Sequence, residues 1–301
     1  MKLAVLMSTY NGERFLCQQI ESILNQSCEC QVDLWVRDDG STDGTHAILD
    51  SYANAGKLRW YTGENLKPAK SFLDLIQHCP GYDYYAFADQ DDYWYPDKLQ
   101  KGVDQIKGRS GPALSCANAR LVDGSLQPLG RNVYRNPPKT DFYDITCGAG
   151  VQGATVVFNR ALAQLIQDRP LPAELIMHDY YLCIVCTLYD GTIVFDDSAC
   201  MDYRQHGSNV VGSSWNKMGA LKNRIQILTV KNPNTLDKMA DSICRNYPDA
   251  PNQEKLRWLK GVSQYRKSVF RALKLAADPK PAYNSLNMAV TLRLAFLLRN
   301  R

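Results

Sequence analysis

Long hydrophobic runs are missing from this sequence. Nowhere in its 301 residues is there a stretch of about 18 or more apolar residues, so no membrane-spanning helix is expected. The opening run Leu3-Ala4-Val5-Leu6-Met7 is too short for a secretory leader and passes straight into Ser8-Thr9. These absences point to a cytoplasmic protein. Charge of one sign is also scarce. The 35 basic and 31 acidic residues leave a net +4, which gives no reason to expect a nucleic-acid partner. Internal repeats, low-complexity tracts and a Walker P-loop are lacking too, which excludes solenoids and P-loop nucleotide chemistry.

Cysteine, by contrast, is present ten times. Without an export signal, a disulfide scaffold is disfavoured. Cys17, Cys79, Cys116, Cys183 and Cys186 lie in apolar or helical surroundings and read as reduced, buried thiols. Cys28-Glu29-Cys30 and Cys183-x-x-Cys186 have no second Cys/His pair at zinc spacing.

Short apolar runs alternate with helical periodicity through the first half. Strands are expected at 3–8, 32–37, 58–61, 84–88 and 113–118, with helices at 14–25, 43–55, 70–78 and after Pro96. This order predicts an α/β fold with a mostly parallel sheet covered on both faces. In such sheets ligands bind beyond the carboxyl ends of the strands. The loops Thr9–Glu13, Asp38–Thr45 and Asp89–Asp92 should therefore converge on one edge. Further on, 155–159, 192–195 and 200–204 read as strands and 177–189 as a helix. After Gly212 the pattern turns helical: 217–230, 236–247, 254–277 and 286–298. This predicts one domain over 1–212 and a helical region over 213–301, which is also where basic residues gather.

Asp89-Gln90-Asp91-Asp92 sets three carboxylates within four positions behind an apolar strand. Such crowded anions call for a cation, and hard oxygen ligands suit Mn²⁺ or Mg²⁺ beside a diphosphate; the alternative is a solvated acidic turn. Asp38-Asp39-Gly40-Ser41-Thr42-Asp43 forms a second acidic loop, in which Ser41 or Thr42 could cap the following helix. It is not a calcium loop, because a strand precedes it and the twelfth-position Glu is missing. Gly148-Ala149-Gly150-Val151-Gln152-Gly153 has dinucleotide-loop spacing but leads into a strand, which argues against nicotinamide binding. Asp179, behind His178 at a helix start, is either an N-terminal cap or a general base. His206, in the polar loop after Tyr203-Arg204, could ligate Mn²⁺, and Arg204 could meet phosphate.

Taken together, these motifs resemble the family 2 glycosyltransferases, which have the GT-A fold. The resemblance covers roughly Met1 to Gly212. It rests on Val5–Gly12, on Asp38–Asp43, on Asp89-Gln90-Asp91 as a D-x-D motif, and on His178-Asp179 in the place of a Glu-Asp pair. The stretches Asp89–Trp94, His178–Tyr181 and Tyr203–Asn209 are similar to rhamnosyltransferase-like bacterial members, which usually take dTDP-L-rhamnose. The resemblance implies that Thr9, Tyr10, Asn11, Glu13, Asp38, Asp39, Lys70, Asp89 and Arg204 bind a nucleotide-sugar donor. It also implies Asp91 and His206 as metal ligands and Asp179 as the catalytic base of an inverting transfer. Trp94, Gly153 and His178 would shape the sugar and acceptor pocket. The acceptor would be a glycan, commonly lipid-linked at the inner face of the membrane.

A sugar-1-phosphate nucleotidyltransferase would need a Gly-rich, Arg-containing loop after the first strand, where this chain has Ser8-Thr9-Tyr10-Asn11-Gly12. The other alternative is a non-catalytic carbohydrate-binding protein on the same fold. At helical spacing Leu286, Val290, Leu294, Leu297 and Leu298 form an apolar stripe flanked by Arg293, Arg299 and Arg301. That stripe either packs on its own domain or lies on a membrane surface.

Overall fold

The computed structural model describes residues 1–148, 150–206, 235–283 and 286–298. The expected helix at 217–230 and the boundary near Gly212 lie outside these residues, as do Arg299, Arg301 and the side chain of Leu286.

Strand β1 (Lys2–Thr9) runs parallel to β2 (Gln31–Asp38) on one side and to β4 (Tyr84–Ala88) on the other, and β3 (Arg59–Thr62) continues beyond β2. β1 faces apolar neighbours on both sides, which is why its run is unbroken: Ala4 and Leu6 enter one core, Leu3, Val5 and Met7 the other. The helices alternate between these faces. α1 (Leu16–Leu24), α2 (Thr45–Asn54) and α4 (Lys98–Ile106) cover one; α3 (Lys67–His78) covers the other.

The nine-stranded sheet has the order β3-β2-β1-β4-β8-β6-β9-β5, with β7 (Pro128–Asn132) beside β6 (Ala113–Val122). β8 (Val157–Asn159) runs antiparallel to β4 and β6, β9 (Thr192–Arg204) parallel to β6, and β5 (Tyr93–Trp94) antiparallel to β9. Residues 192–204 thus form one strand where two were expected. Asp197 and Ser198 bulge out of the ladder between the Ala117–Asp196 and Asn118–Ala199 pairs, and the strand continues past them.

α5 (Phe142–Thr146), α6 (Arg160–Gln167) and α7 (His178–Leu188) lie on the α3 side. Every residue of α7 from Tyr180 to Leu188 is buried, the pattern of a helix enclosed all round. The C-terminal helices help to enclose it. α8 (Leu236–Asn246), α9 (Gln253–Val262), α10 (Val269–Ala276) and α11 (Leu286–Leu297) add Met239, Tyr247, Leu259 and Phe296 to the same core as Leu6 and Phe87. The single helix expected over 254–277 is broken at Ser263–Ser268 by a 3₁₀ turn, where Ser268 adopts extended backbone and restarts the chain as α10. All ten cysteines are free thiols; Cys17, expected to be buried, is exposed on α1.

Candidate active site

Registration of the parallel strands fixes the site. Thr9 pairs with Asp38, and Met7 with Ala88, so the loops after β1, β2 and β4 leave the sheet side by side. β1 also has its neighbours on opposite sides, which is the switch point where α/β sheets open a crevice.

The first two loops are laced together. Asn11 takes a left-handed turn at φ 48, a conformation asparagine tolerates, and its Oδ1 accepts from the Thr42 backbone N–H at 2.8 Å. The Asn11 N–H donates to Ser41 Oγ, the Gly12 N–H to Thr45 Oγ1 and the Gly44 N–H to Glu13 Oε2. Asp43, rather than Ser41 or Thr42, receives the first N–H of α2, from Thr45. Asp38 is fully buried and accepts from Thr9 Oγ1, Ser41 and the Gly40 N–H, with His46 Nε2 at 2.8 Å. Burial works against its charge, but the bonds from Ser41, His46 and Thr9 prevail and hold it below the usual carboxylate range. Thr9 and Asp39 are buried as well, Asp39 in an ion pair with Arg37. Tyr10, Asn11 and Glu13 form the exposed surface of this loop pair.

The third loop is bound to the first by Gln90. Its Oε1 accepts from the Tyr10 N–H at 2.9 Å, and its Nε2 donates to the Tyr10 carbonyl at 3.1 Å. Asp91 Oδ2 lies 2.8 Å from His206 Nε2, bringing together two groups that are 115 positions apart. Asp89 is pushed up to about 7 by burial and by the nearby charges of Asp91 and Asp179. The Asp89–Asp92 loop and the start of α7 therefore lie near one another. Asp179 accepts from the Gly153 N–H at 3.0 Å and from the Tyr180 N–H at 2.7 Å. Burial outweighs these bonds and pushes Asp179 up to about 6.

Residues 4–163, just over half of the sequence, match the description Glycosyl transferase family 2. The chain belongs to this family. It is a glycosyltransferase. Among its relatives, the dTDP-rhamnosyl transferase RfbG of Shigella flexneri is 26% identical over 240 residues, covering 72% of this chain and 80% of that protein. A UDP-Glc:alpha-D-GlcNAc-diphosphoundecaprenol beta-1,3-glucosyltransferase WfgD of Escherichia coli is 25% identical, covering 77% and 87%. The S. aureus TarS structure in complex with UDP-GlcNAc superposes with a TM-score of 0.53 at 18% identity, over 92% of this chain and 81% of that one. The mannosyltransferase PcManGT from Pyrobaculum calidifontis, in complex with GDP-Man and Mn²⁺, gives 0.53 at 15% identity, over 99% and 85%. These structures share the GT-A fold expected from the motifs.

Several side chains of this family 2 enzyme stand elsewhere than the motifs suggested. Trp94 was expected in the sugar pocket, but pairing of β5 with β9 turns it inward, where 1% of it is exposed and Lys98 Nζ lies 3.5 Å from its ring. His178 was expected there too, yet its ring is buried between Phe72 and Phe87, at centroid distances of 4.0 and 4.8 Å. Neither ring nitrogen has a hydrogen-bond partner among the described residues, and burial lowers its pKa to about 3, so the ring is neutral. Arg204 was expected at phosphate. Its guanidinium is instead turned under the loops, donating to the carbonyls of Asp91 and Gly124 and to Gln18 Oε1 while lying over Phe15. Lys70 Nζ donates to the Ala173 carbonyl.

Gln90 and Arg37 were not anticipated from the sequence, and Asp92, the third of the clustered carboxylates, is buried and accepts from the Arg204 N–H. Only the variable middle position of D-x-D carried any hint of the first.

Asp91 and His206 fit a divalent cation: a carboxylate and an imidazole already in contact, with the Asp89 carboxylate crowded close by. Among the described residues no three such side chains converge into a closed metal cage.

Proposed function

We propose that this glycosyltransferase moves a hexosyl group, best taken as L-rhamnose from dTDP-L-rhamnose, onto a glycan hydroxyl with inversion at the anomeric carbon. The product would belong to a bacterial surface polysaccharide. The observation that carries the reading is the Asp91–His206 contact beyond the β1–β4 switch point, with the Asp179 carboxylate held by the Gly153 and Tyr180 N–H groups at the start of α7. The donor class is supported by the dTDP-rhamnosyl transferase relative, and a lipid-linked acceptor by the diphosphoundecaprenol in the other relative's name.

The nucleoside lies on the β1–β2 loop pair. Tyr10, Asn11 and Glu13 offer its surface, and the buried Asp38 and Asp39 form its floor. Gln90 keeps that surface in register with the metal loop. When bound at Asp91 and His206, Mn²⁺ or Mg²⁺ supplies positive charge for the diphosphate leaving group. Arg204 acts from beneath, fixing the Asp91 backbone. Asp179 takes the proton from the acceptor hydroxyl. The freed oxygen attacks the anomeric carbon as the bond to the diphosphate breaks on the opposite face. A carboxylate at about 6 is ionised at neutral pH and yet more basic than an ordinary Asp.

A thermal-shift screen of nucleoside diphosphates and nucleotide sugars, with and without Mn²⁺, tests the donor assignment. A rise in melting temperature with dTDP-L-rhamnose that needs Mn²⁺ is expected. A larger shift with another nucleotide sugar would reassign the donor, and no shift with any would overturn the reading.

A further inference from the structure

Seven of the eleven large apolar side chains left exposed among the described residues lie on two neighbouring helices. Val269, Phe270 and Leu273 project from α10; Val290, Leu294 and Leu297 project from α11, with Leu298 just beyond it. Phe270 is 77% exposed.

The two helices pack together and are apolar on both of their faces. On α11 the inner face is Leu292, Ala295 and Phe296, all buried, with the Phe296 ring 5.3 Å from Tyr265. The outer face is the Val290–Leu294–Leu297 stripe. On α10, Ala272, Leu275 and Ala276 face inward and Phe270 and Leu273 outward. The core uses one face of each helix and leaves the other in water. Apolar patches of this extent on a soluble chain mark interaction surfaces.

Charge indicates the occupant. Lys267, Arg271 and Lys274 are exposed around Phe270 and Leu273, and none has a carboxylate partner among the described residues. From Ser263 to the last residue the sequence has eight Lys and Arg against one acid, Asp278. A second copy docked face to face would set these cationic rims against each other. An anionic lipid surface would complement both the stripe and the rim.

We propose that α10 and α11 form a membrane-docking face. Phe270 and Leu294 enter the acyl boundary, and Lys267, Arg271 and Lys274 meet anionic headgroups. The face is tied to the catalytic helix by a short chain of bonds. The Tyr283 N–H donates to Asp144 Oδ1 on α5, and the Thr146 carbonyl on α5 accepts from Tyr180 Oη, next to Asp179. The docking face stands on its own observations and does not rest on the donor or acceptor assigned above.

Flotation of the full chain with vesicles tests it, using phosphatidylglycerol mixed with phosphatidylcholine, or phosphatidylcholine alone. Binding to the anionic vesicles is expected at low salt, weakening as added salt shortens the screening length to about 3 Å near 1 M. Phe270→Asp and Leu294→Asp should each reduce it at least about tenfold with melting temperature unchanged, because charged groups resist the acyl boundary. No binding by the parent chain, equal binding by the variants, or a dimer in light scattering that Phe270→Asp dissociates would overturn the proposal. Nucleotide-sugar thermal shifts on the same preparations report separately on the transferase reading.

Discussion

The Gly153 backbone N–H donates to Asp179 Oδ2 at 3.0 Å, so a residue with no side chain aligns the proposed base. A Cβ at this position would fall 2.7 Å from His178 Nε2 and 3.1 Å from Asp179 Oδ2. His178 is wedged between two phenylalanines and cannot yield. Gly153→Ala should therefore displace the carboxylate. A misplacement of about 1 Å can cost roughly 10²-fold in rate. The expected outcome in steady-state kinetics is a fall in kcat of that order, with donor KM little changed.

Asp179→Asn keeps the shape of the side chain but cannot accept the proton. A loss of about 10²–10⁴-fold in kcat is expected. Mn²⁺-dependent donor binding, followed by thermal shift, should stay as in the parent enzyme. Lost donor affinity would make Asp179 structural.

The acid limb of the pH profile follows from the same group. As the proposed base Asp179 would work ionised, and it is pushed up to about 6, so kcat/KM should rise with pH through about 6 and level off above it. The sign for stability is the reverse. The folded enzyme holds this proton more tightly than the unfolded chain, where the group titrates near 3.8, so ionisation costs stability as pH rises between those values. The melting temperature of the parent enzyme relative to Asp179→Asn should accordingly fall from pH 4 to pH 6, measured by calorimetry.

Gln90→Ala removes both bonds to the Tyr10 backbone. Each such bond is worth about 1 kcal/mol net, so donor KM should rise about thirtyfold or less, with kcat largely kept. A matching loss in kcat would place Gln90 at the reacting atoms instead.

Asp91→Asn should abolish transfer and erase the Mn²⁺-dependent part of the nucleotide thermal shift while leaving the melting temperature of the free enzyme close to that of the parent. Near-normal turnover would exclude Asp91 as the ligand.

The sheet edge was legible because its cause is local. An apolar run buried on both faces, followed at once by acids and glycines, marks a strand end in an α/β sheet, and this correctly located Thr9, Asp38 and Asp89. Side-chain direction was not legible where distant elements decide it. Arg204 reads as a phosphate ligand until Gly124 and Gln18, 80 and 186 positions away, are seen to claim its guanidinium. Trp94 reads as a sugar platform until the short β5–β9 ladder turns it inward. His178 resembles a site residue in sequence, but whether its ring points out or in depends on Phe72 and Phe87, from two other elements. The long helix expected over 254–277 failed for a different reason. Its apolar spacing continues through the break, and only the Ser263–Ser268 turn, made of residues ordinary in helices, interrupts it.

The core that joins Leu6 and Phe87 of the sheet to Met239, Leu259 and Phe296 near the C-terminus bears on how this enzyme could be re-engineered. A chimera that kept the nucleotide-binding half and borrowed the helices of a relative would have to match side chains across a shared interior. Complementary cavities and bulges on the two sides would need to change in concert. The C-terminal helices of this chain are therefore not a detachable cassette, and exchanging them would require compensating substitutions in α5 and α7, whose side chains share that interior.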